Sequence, residues 1–557
     1  MNVSAGDHDL LLKDMAASRP PPLAVGLDLL HGFGCSPSSS NVVQSFQVPK
    51  TSLKDENTDR IVYKMGRRIC IYDATLEKIT FLASPQRAVV EIHHFHIAFS
   101  GRYVSLCESA RHEKDGEIRP QLSVYSLSTL QRLNTCCYES EGKFICSSFC
   151  SDNKYVVVLC IEDQQHVTIL WNWEKEKLHK ILSFPSSLKL HLVCCPPSFD
   201  ALYTVSGPLT LKLCYVGIDG SMRSNSLVPI SKERSERVID HIWLNPHGNV
   251  QKLAILVEFE SSDPQKKLFV YIFESTAEST FRENDQVHST FELRQTLPIF
   301  GAGVHTLKPR CVMRSSRGFI VGGDRGFISL FEKTDDKKTA YQESLSLRIG
   351  DEENVVSGTL LPMEDRLIVY SDRTSRLISI PISLLNLKEK GVQHPTQMPT
   401  DLTLNGFHAD HVVAADIAFH RSLLVTISAD CTARVWNYIS RRCEVVQQFG
   451  AEDPRAVAIH TNGLQVLISF KDCVRLYNIL RNNLKVYKET IVRSCQDLKF
   501  SSGCQFWAAA SGLSVLVFDT KTFVQMMSFP GHLNPVNKLV WAPGDQVKEL
   551  LTILDSV

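Results

Sequence analysis

No run of about 18 apolar residues occurs in the 557 positions of this chain, so no segment reads as a membrane-spanning helix. Net charge is missing as well. Lys plus Arg and Asp plus Glu both number 60, which leaves no overall field to draw the molecule onto nucleic acid or an anionic membrane. There is no Gly-x-x-x-x-Gly-Lys-Ser/Thr loop, no His-Glu-x-x-His pair and no Gly-x-Ser-x-Gly elbow, the usual marks of phosphate, zinc and acyl-transfer chemistry. Catalytic, cofactor-binding and metal-ligating residues are therefore not expected. The 17 cysteines are odd in number and fall singly or in adjacent pairs (Cys136-Cys137, Cys194-Cys195), without the spacing of a disulfide scaffold. They predict reduced thiols in a cytosolic protein. Residues 1–24 offer only Leu10-Leu11-Leu12 as an apolar stretch, too short for a secretory core, and read as a disordered tail.

What is present is a series of short β-branched and aromatic runs separated by Gly, Asp, Asn, Pro and Ser turns, without long amphipathic helical patterns. Examples are Arg68 to Tyr72, Tyr155 to Leu159 and Leu268 to Phe273. An aromatic or large apolar residue recurs near the end of a strand at Tyr72, Tyr125, Trp171, Tyr215, Tyr271, Phe331, Ile380, Trp436, Tyr477 and Phe518, at separations of 41 to 60 residues. A period of about 40 to 45 residues with four strands per unit marks a propeller blade, and loop insertions lengthen it. Arg111 to Arg119 and Ser275 to Gln295 are the candidate insertions.

The fullest unit runs from Gly406-Phe407-His408 through Ser428-Ala429-Asp430 to Arg434-Val435-Trp436-Asn437. A histidine before the first strand, a serine on the second, an aspartate in the next turn and a tryptophan on the third can share hydrogen bonds that tie one blade together. His408, Ser428, Asp430 and Trp436 are assigned that structural role. Within a repeat it outweighs a catalytic reading of the same His, Ser and Asp. Of the other clusters, His94 and His96 share one strand face but lack further ligands at useful spacing, and Cys146 and Cys150 lack a second pair. Gly322-Gly323-Asp324-Arg325-Gly326 reads as a hairpin turn, and Arg441-Arg442 and Lys232 to Arg237 as solvated turns.

The seven marks from Tyr72 to Ile380 predict a first propeller over 25–385, followed by a linker over 386–405 rich in Lys, Gly and Pro and a partial second propeller over 406–557. Its fourth unit begins at Gly531-His532, and a third-strand aromatic would fall past Val557. About three and a half blades are expected there, as in a fragment or shortened form of a longer protein.

Leu330-Phe331-Glu332-Lys333, Tyr341-Gln342-Glu343-Ser344, Arg434-Val435-Trp436-Asn437-Tyr438, Val474-Arg475-Leu476-Tyr477-Asn478 and Phe529-Pro530-Gly531-His532 occur in that order. So do Gly101-Arg102-Tyr103-Val104-Ser105 and Leu170-Trp171-Asn172-Trp173-Glu174-Lys175 nearer the amino terminus. Over most of 60–557 the chain resembles the axonemal WD-repeat cilia- and flagella-associated proteins, of the type linked to inner dynein arms. The resemblance implies an all-β chain of tandem WD-repeat β-propellers, the second incomplete here. It further implies a non-enzymatic scaffold in the ciliary axoneme, with inner dynein arm or doublet-associated partners and a role in beating. A long carboxy-terminal coiled coil, implied likewise, lies outside these residues, and the oligomeric state stays open. The alternative is a general WD-repeat scaffold of a cytosolic assembly or trafficking complex.

Overall fold

The computed structural model describes residues 43–48, 58–73, 78–82, 89–111, 116–137, 142–197, 202–216, 222–230, 236–244, 250–259, 268–275, 291–299, 308–334, 340–350, 353–373, 376–382, 400–401, 408, 410–541 and 550–554. Among the described residues are 42 strands and three single-turn 3-10 helices. Within each sheet, strands consecutive in sequence pair antiparallel, giving, among the described residues, ten consecutive four-stranded sheets and one two-stranded sheet. The chain is thus all-β, built as tandem propeller blades. Blades 1 to 7 run over 43–81, 89–137, 143–185, 192–228, 236–298, 309–348 and 355–401; blades 8 to 11 over 412–448, 456–491, 495–530 and 536–554.

All ten aromatic or apolar marks fall on the third strand of their blade, from Tyr72 in Arg68–Asp73 to Phe518 in Ser514–Asp519. A physical reason lies in the register. In blades 2, 6, 8, 9 and 10 the pairing of third and fourth strands shifts immediately before the mark, at Tyr125, Phe331, Trp436, Tyr477 and Phe518. An extra residue on one strand bends and twists the sheet at that point. The large side chain there is buried in every one of the five.

The hydrophobic cores lie between adjacent sheets. The one shared by blades 1 and 2 joins Val62 and Ile71 to Phe95 and Val104. Corresponding cores join blades 2 to 3, 3 to 4, 4 to 5, 5 to 6 and 6 to 7. The seventh joins 7 back to 1, setting Ile61, Tyr63 and Cys70 against Ile368 and Tyr370. Ser45 on the first strand of blade 1 also lies 3.0 Å from the Thr359 hydroxyl and donates to the Leu360 carbonyl at 2.6 Å. Seven interfaces for seven sheets make a closed ring. Thr400–Asp401, inside the segment expected as a linker, pairs with Arg376–Pro381 as the fourth strand of blade 7.

Blades 8 to 11 have three such cores, at 8 to 9, 9 to 10 and 10 to 11. Among the described residues none joins blade 11 to blade 8, and Val412, Val413 and Ile417 of the first strand of blade 8 are exposed.

Candidate functional site

Blade 8 assembles the polar network from three of its loops and strands. His408 Nδ1 lies 3.3 Å from Asp430 Oδ2 and 3.0 Å from Thr432 Oγ1, while Nε2 lies 2.7 Å from Thr426 Oγ1. Trp436 Nε1 donates to that same Thr426 oxygen at 2.8 Å. Since Thr432 donates to Asp430 Oδ1 at 2.6 Å, the consistent arrangement has His408 donating from Nδ1 and accepting the Thr426 proton at Nε2. The ring is neutral. Burial holds its pKa below the ordinary imidazole value, against the pull of the Asp430 hydrogen bond.

Ser428 has separate work. Its hydroxyl donates to the Asp410 carbonyl at 3.1 Å and accepts the Asp430 N–H at 3.2 Å, fixing the turn that carries the aspartate. The hydroxyl between the imidazole and the indole is therefore Thr426, two residues earlier on the same strand and same face. Replacing Thr426 with Val should cost about 1–3 kcal/mol, because a buried indole N–H and an imidazole nitrogen both lose their partner. Thr426→Ser keeps the hydroxyl and should cost less. Urea midpoints and hydrogen exchange of blade 8 amides measure both; equal costs for the two would refute the assignment.

A His–Thr–Trp junction of the same kind links blades 4 and 5. Thr204 Oγ1 donates to the Cys194 carbonyl at 3.1 Å and receives Trp243 Nε1 at 3.1 Å and His241 Nε2 at 2.9 Å. His241 is buried and neutral, its pKa pushed down to about 3 by burial and then by the charge of His191.

A second device recurs between blades and has no single residue type to mark it in the sequence. A side chain on the first strand of one blade accepts a backbone N–H from the first strand of the next. Gln44 Oε1 takes Ile97 N–H at 2.6 Å, His94 Nδ1 takes Ser147 at 3.2 Å and Cys146 Sγ takes Val193 at 3.1 Å. Asp240, Asp416 and Asp497 take Val312, Ile459 and Leu539, each at 2.9 Å. These bonds staple neighbouring sheets at the centre, where backbone donors would otherwise stay unpaired. Asp240 Oδ1 also accepts the His241 N–H at 2.8 Å, and burial pushes its carboxyl up to about 7 against these two bonds.

The staples also account for the candidate ligand clusters. His96 Nδ1 accepts Phe149 N–H at 3.3 Å, so His94 and His96 each spend a ring nitrogen on the next blade. Burial lowers them to about 4 and about 3 respectively. Among the described residues no group of three or more His, Cys, Asp or Glu is placed to hold a metal ion. The cysteines whose side chains are described, Cys146 and Cys150 among them, are free thiols. In the Gly322 to Gly326 turn the Gly326 N–H donates to the Glu353 carbonyl and its carbonyl accepts Ile349 N–H, so the loop is tied to protein. Residues 112–115 and 276–290 of the two insertions, and 231–235 of the mixed-charge stretch, lie outside the described residues.

First strands of ring one surround a cavity of about 900 Å³ whose lining includes Phe46, His96, Phe99, Asp240, Arg314 and Glu364. Arg314 Nε donates to the Trp243 carbonyl at 2.8 Å, and its guanidinium lies 5.6 Å from the centre of the Phe99 ring. Such a cavity is within the size range of ligand sites.

No family model matches the chain. Over 542 residues, 92% of its length, it is 23% identical to cilia- and flagella-associated protein 57 of Mus musculus, of which it covers 41%. Over 244 residues, 42% of its length, it is 33% identical to cilia- and flagella-associated protein 57 A of Tetrahymena thermophila, covering 18% of that protein. A third relative, cilia- and flagella-associated protein 57 C of the same organism, is 28% identical over 151 residues, 25% of this chain and 12% of the relative. The chain thus spans less than half the length of these relatives, and its similarity to a cilia- and flagella-associated protein extends through both sets of blades.

Proposed function

We propose that the chain serves as a non-enzymatic scaffold of the motile ciliary axoneme, acting in inner dynein arm assembly or in the regulation of beating. The observation that carries this reading is the similarity over 92% of the chain to cilia- and flagella-associated protein 57. The fold supports it. A ring of seven sheets stapled at its centre offers rigid rims, and its polar networks are committed to holding blades together. Binding energy at such rims would come from a few anchored side chains on a pre-organised surface. The insertions at Arg111 to Arg119 and Ser275 to Gln295 are our choice for contact with inner-arm or doublet-associated components, since segments that lengthen the connection between two strands can carry recognition at little cost to the scaffold.

Tagging the endogenous protein in multiciliated cells tests the reading. We expect an axonemal signal that resists detergent extraction, with loss of the protein lowering beat frequency and depleting inner-arm dyneins. A diffuse cytosolic or nuclear signal would overturn it in favour of a general cytosolic scaffold.

A further inference from the structure

We propose that the central cavity of ring one is a recognition site for a carboxylate carried by an acidic peptide segment of a partner, with Arg314 as its anchor and His96 as a second donor. This adds the chemistry of one contact to the scaffold reading. Its test uses purified protein, so it succeeds or fails independently of where the chain resides in the cell.

The case begins with an imbalance of donors and acceptors. Both oxygens of Asp240 are occupied by backbone N–H groups. Glu364 accepts the Ser316 N–H at 2.8 Å and also the Ser316 hydroxyl. The donors are not matched in this way. Arg314 ends the strand Pro309–Arg314 of blade 6 and is half-buried, yet only its Nε has a hydrogen-bond partner among the described residues. No carboxylate there lies within ion-pairing distance of it, which leaves Nη1 and Nη2 open.

His96 contributes a neighbouring donor. Because its Nδ1 accepts the Phe149 N–H, the neutral ring carries its proton on Nε2, for which the described residues supply no acceptor. The imidazole stands edge-on to Phe99 at 6.0 Å, and Phe99 is also the ring beneath the Arg314 guanidinium. Imidazole and guanidinium therefore flank one aromatic side chain. Burial draws the Arg314 pKa below its ordinary value, and the Arg314 charge adds to the burial that keeps His96 neutral. Both effects are relieved by an anion.

A carboxylate fits better than a larger anion. The two open terminal nitrogens of a guanidinium match two carboxylate oxygens in a planar fork. One half-buried fixed cation balances one negative charge, and Phe46 and Phe99 supply apolar surface for the methylene stem of an acidic residue. A peptide fits better than a free acid because the lining continues through Ser100, Ser316 and Pro362, exposed residues in turns that join first and second strands. The cavity thus reaches solvent at that rim. Each first strand is also the terminal strand of its sheet, but its edge N–H groups at Ile97, Val193 and Val312 are held by the staples, so the peptide is held through its acidic side chain and not by strand addition.

Selection of a phage-displayed library of random heptapeptides on the purified full chain tests this. We expect Asp or Glu to recur at one position of the selected peptides. Synthetic copies should bind at least tenfold more weakly to Arg314→Met, and to wild type after exchange of that acid for its amide. Arg314→Lys, which keeps the charge and loses the fork, should fall between. Selected peptides without an acidic preference, or equal binding by wild type and Arg314→Met, would overturn the proposal. Displacement of the peptide by inorganic phosphate at lower concentration than by acetate would overturn the choice of carboxylate. Hydrogen exchange of the ring-one amides confirms that each variant is folded. If Arg314→Met is not, Phe99→Leu leaves the Arg314 bond to Trp243 in place and should weaken binding three- to tenfold; unchanged binding there would also count against the site.

Discussion

Replacing Trp507 with Ala should destabilise blades 8 to 11 by about 3–5 kcal/mol, whereas Trp507→Phe should cost less than about 1.5 kcal/mol. Trp507 is fully buried between blades 9 and 10 and stacks on Phe518 with ring centres 4.2 Å apart and planes 9° from parallel. Truncation removes one of the largest side chains of that core and leaves a void its neighbours cannot fill. The indole N–H has no hydrogen-bond partner among the described residues. Phenylalanine therefore forfeits volume without forfeiting a bond. Trp436→Phe offers the contrast, since it deprives Thr426 of its indole donor and should cost more than Trp507→Phe. Denaturant midpoints of the three variants, read by exchange of blade 8 to 10 amides, decide the matter. A Trp507→Phe loss as large as that of Trp507→Ala would show that the indole nitrogen, rather than the ring, holds the site.

Glu108→Gln should stabilise ring one by on the order of 3 kcal/mol at pH 8 and by almost nothing at pH 4, a difference that follows from proton linkage. Glu108 is 1% exposed on the second strand of blade 2, accepting from Ser123 Oγ at 3.1 Å and Gln121 Nε2 at 3.2 Å. Burial pushes its carboxyl up to about 7 from an ordinary 4.5, with the Ser123 bond, the Arg132 charge and the Gln121 bond opposing. Because the folded pKa is raised, the carboxyl's contribution to stability is fully present below about 4.5 and is lost as the pH rises to about 7. The amide has nothing to ionise. Its advantage should open across that window and stay level above it, as read from exchange of blade 2 amides at a series of pH values. A gap independent of pH would mean that the carboxyl ionises in the folded protein as it does in the unfolded chain.

The blade pattern was legible because one feature, a large residue on the third strand, is forced by packing in each repeat. Trp171, Phe331 and Ile380 differ in shape and fill the same kind of position. The central staples were not legible, because they demand only an acceptor atom. Gln44, His94, Cys146 and Asp240 all satisfy that demand and share no letter. Asp240-x-x-Trp243, Asp416-x-x-Phe419 and Asp497-x-x-Phe500 do share a spacing, and that is the signal from which half of them could have been found. Thr426 is inconspicuous in the sequence for a related reason. It alternates with apolar residues in Leu423–Ser428, where a buried threonine looks like any β-branched strand residue until the indole and imidazole converge on it. The cavity was illegible for a topological reason: His96 and Phe99, at the end of the first strand of blade 2 and in the turn after it, lie more than 200 positions before Arg314.

Closure of blade 7 onto blade 1 has a mechanical consequence. In a row of stacked plates the two end plates are held on one face only and peel first. In a hoop no plate is an end plate, so one cut in an outer turn leaves both severed pieces gripped by neighbours on either side. A protease that clips a single surface loop of the hoop should therefore leave it migrating as one particle until a denaturant is added.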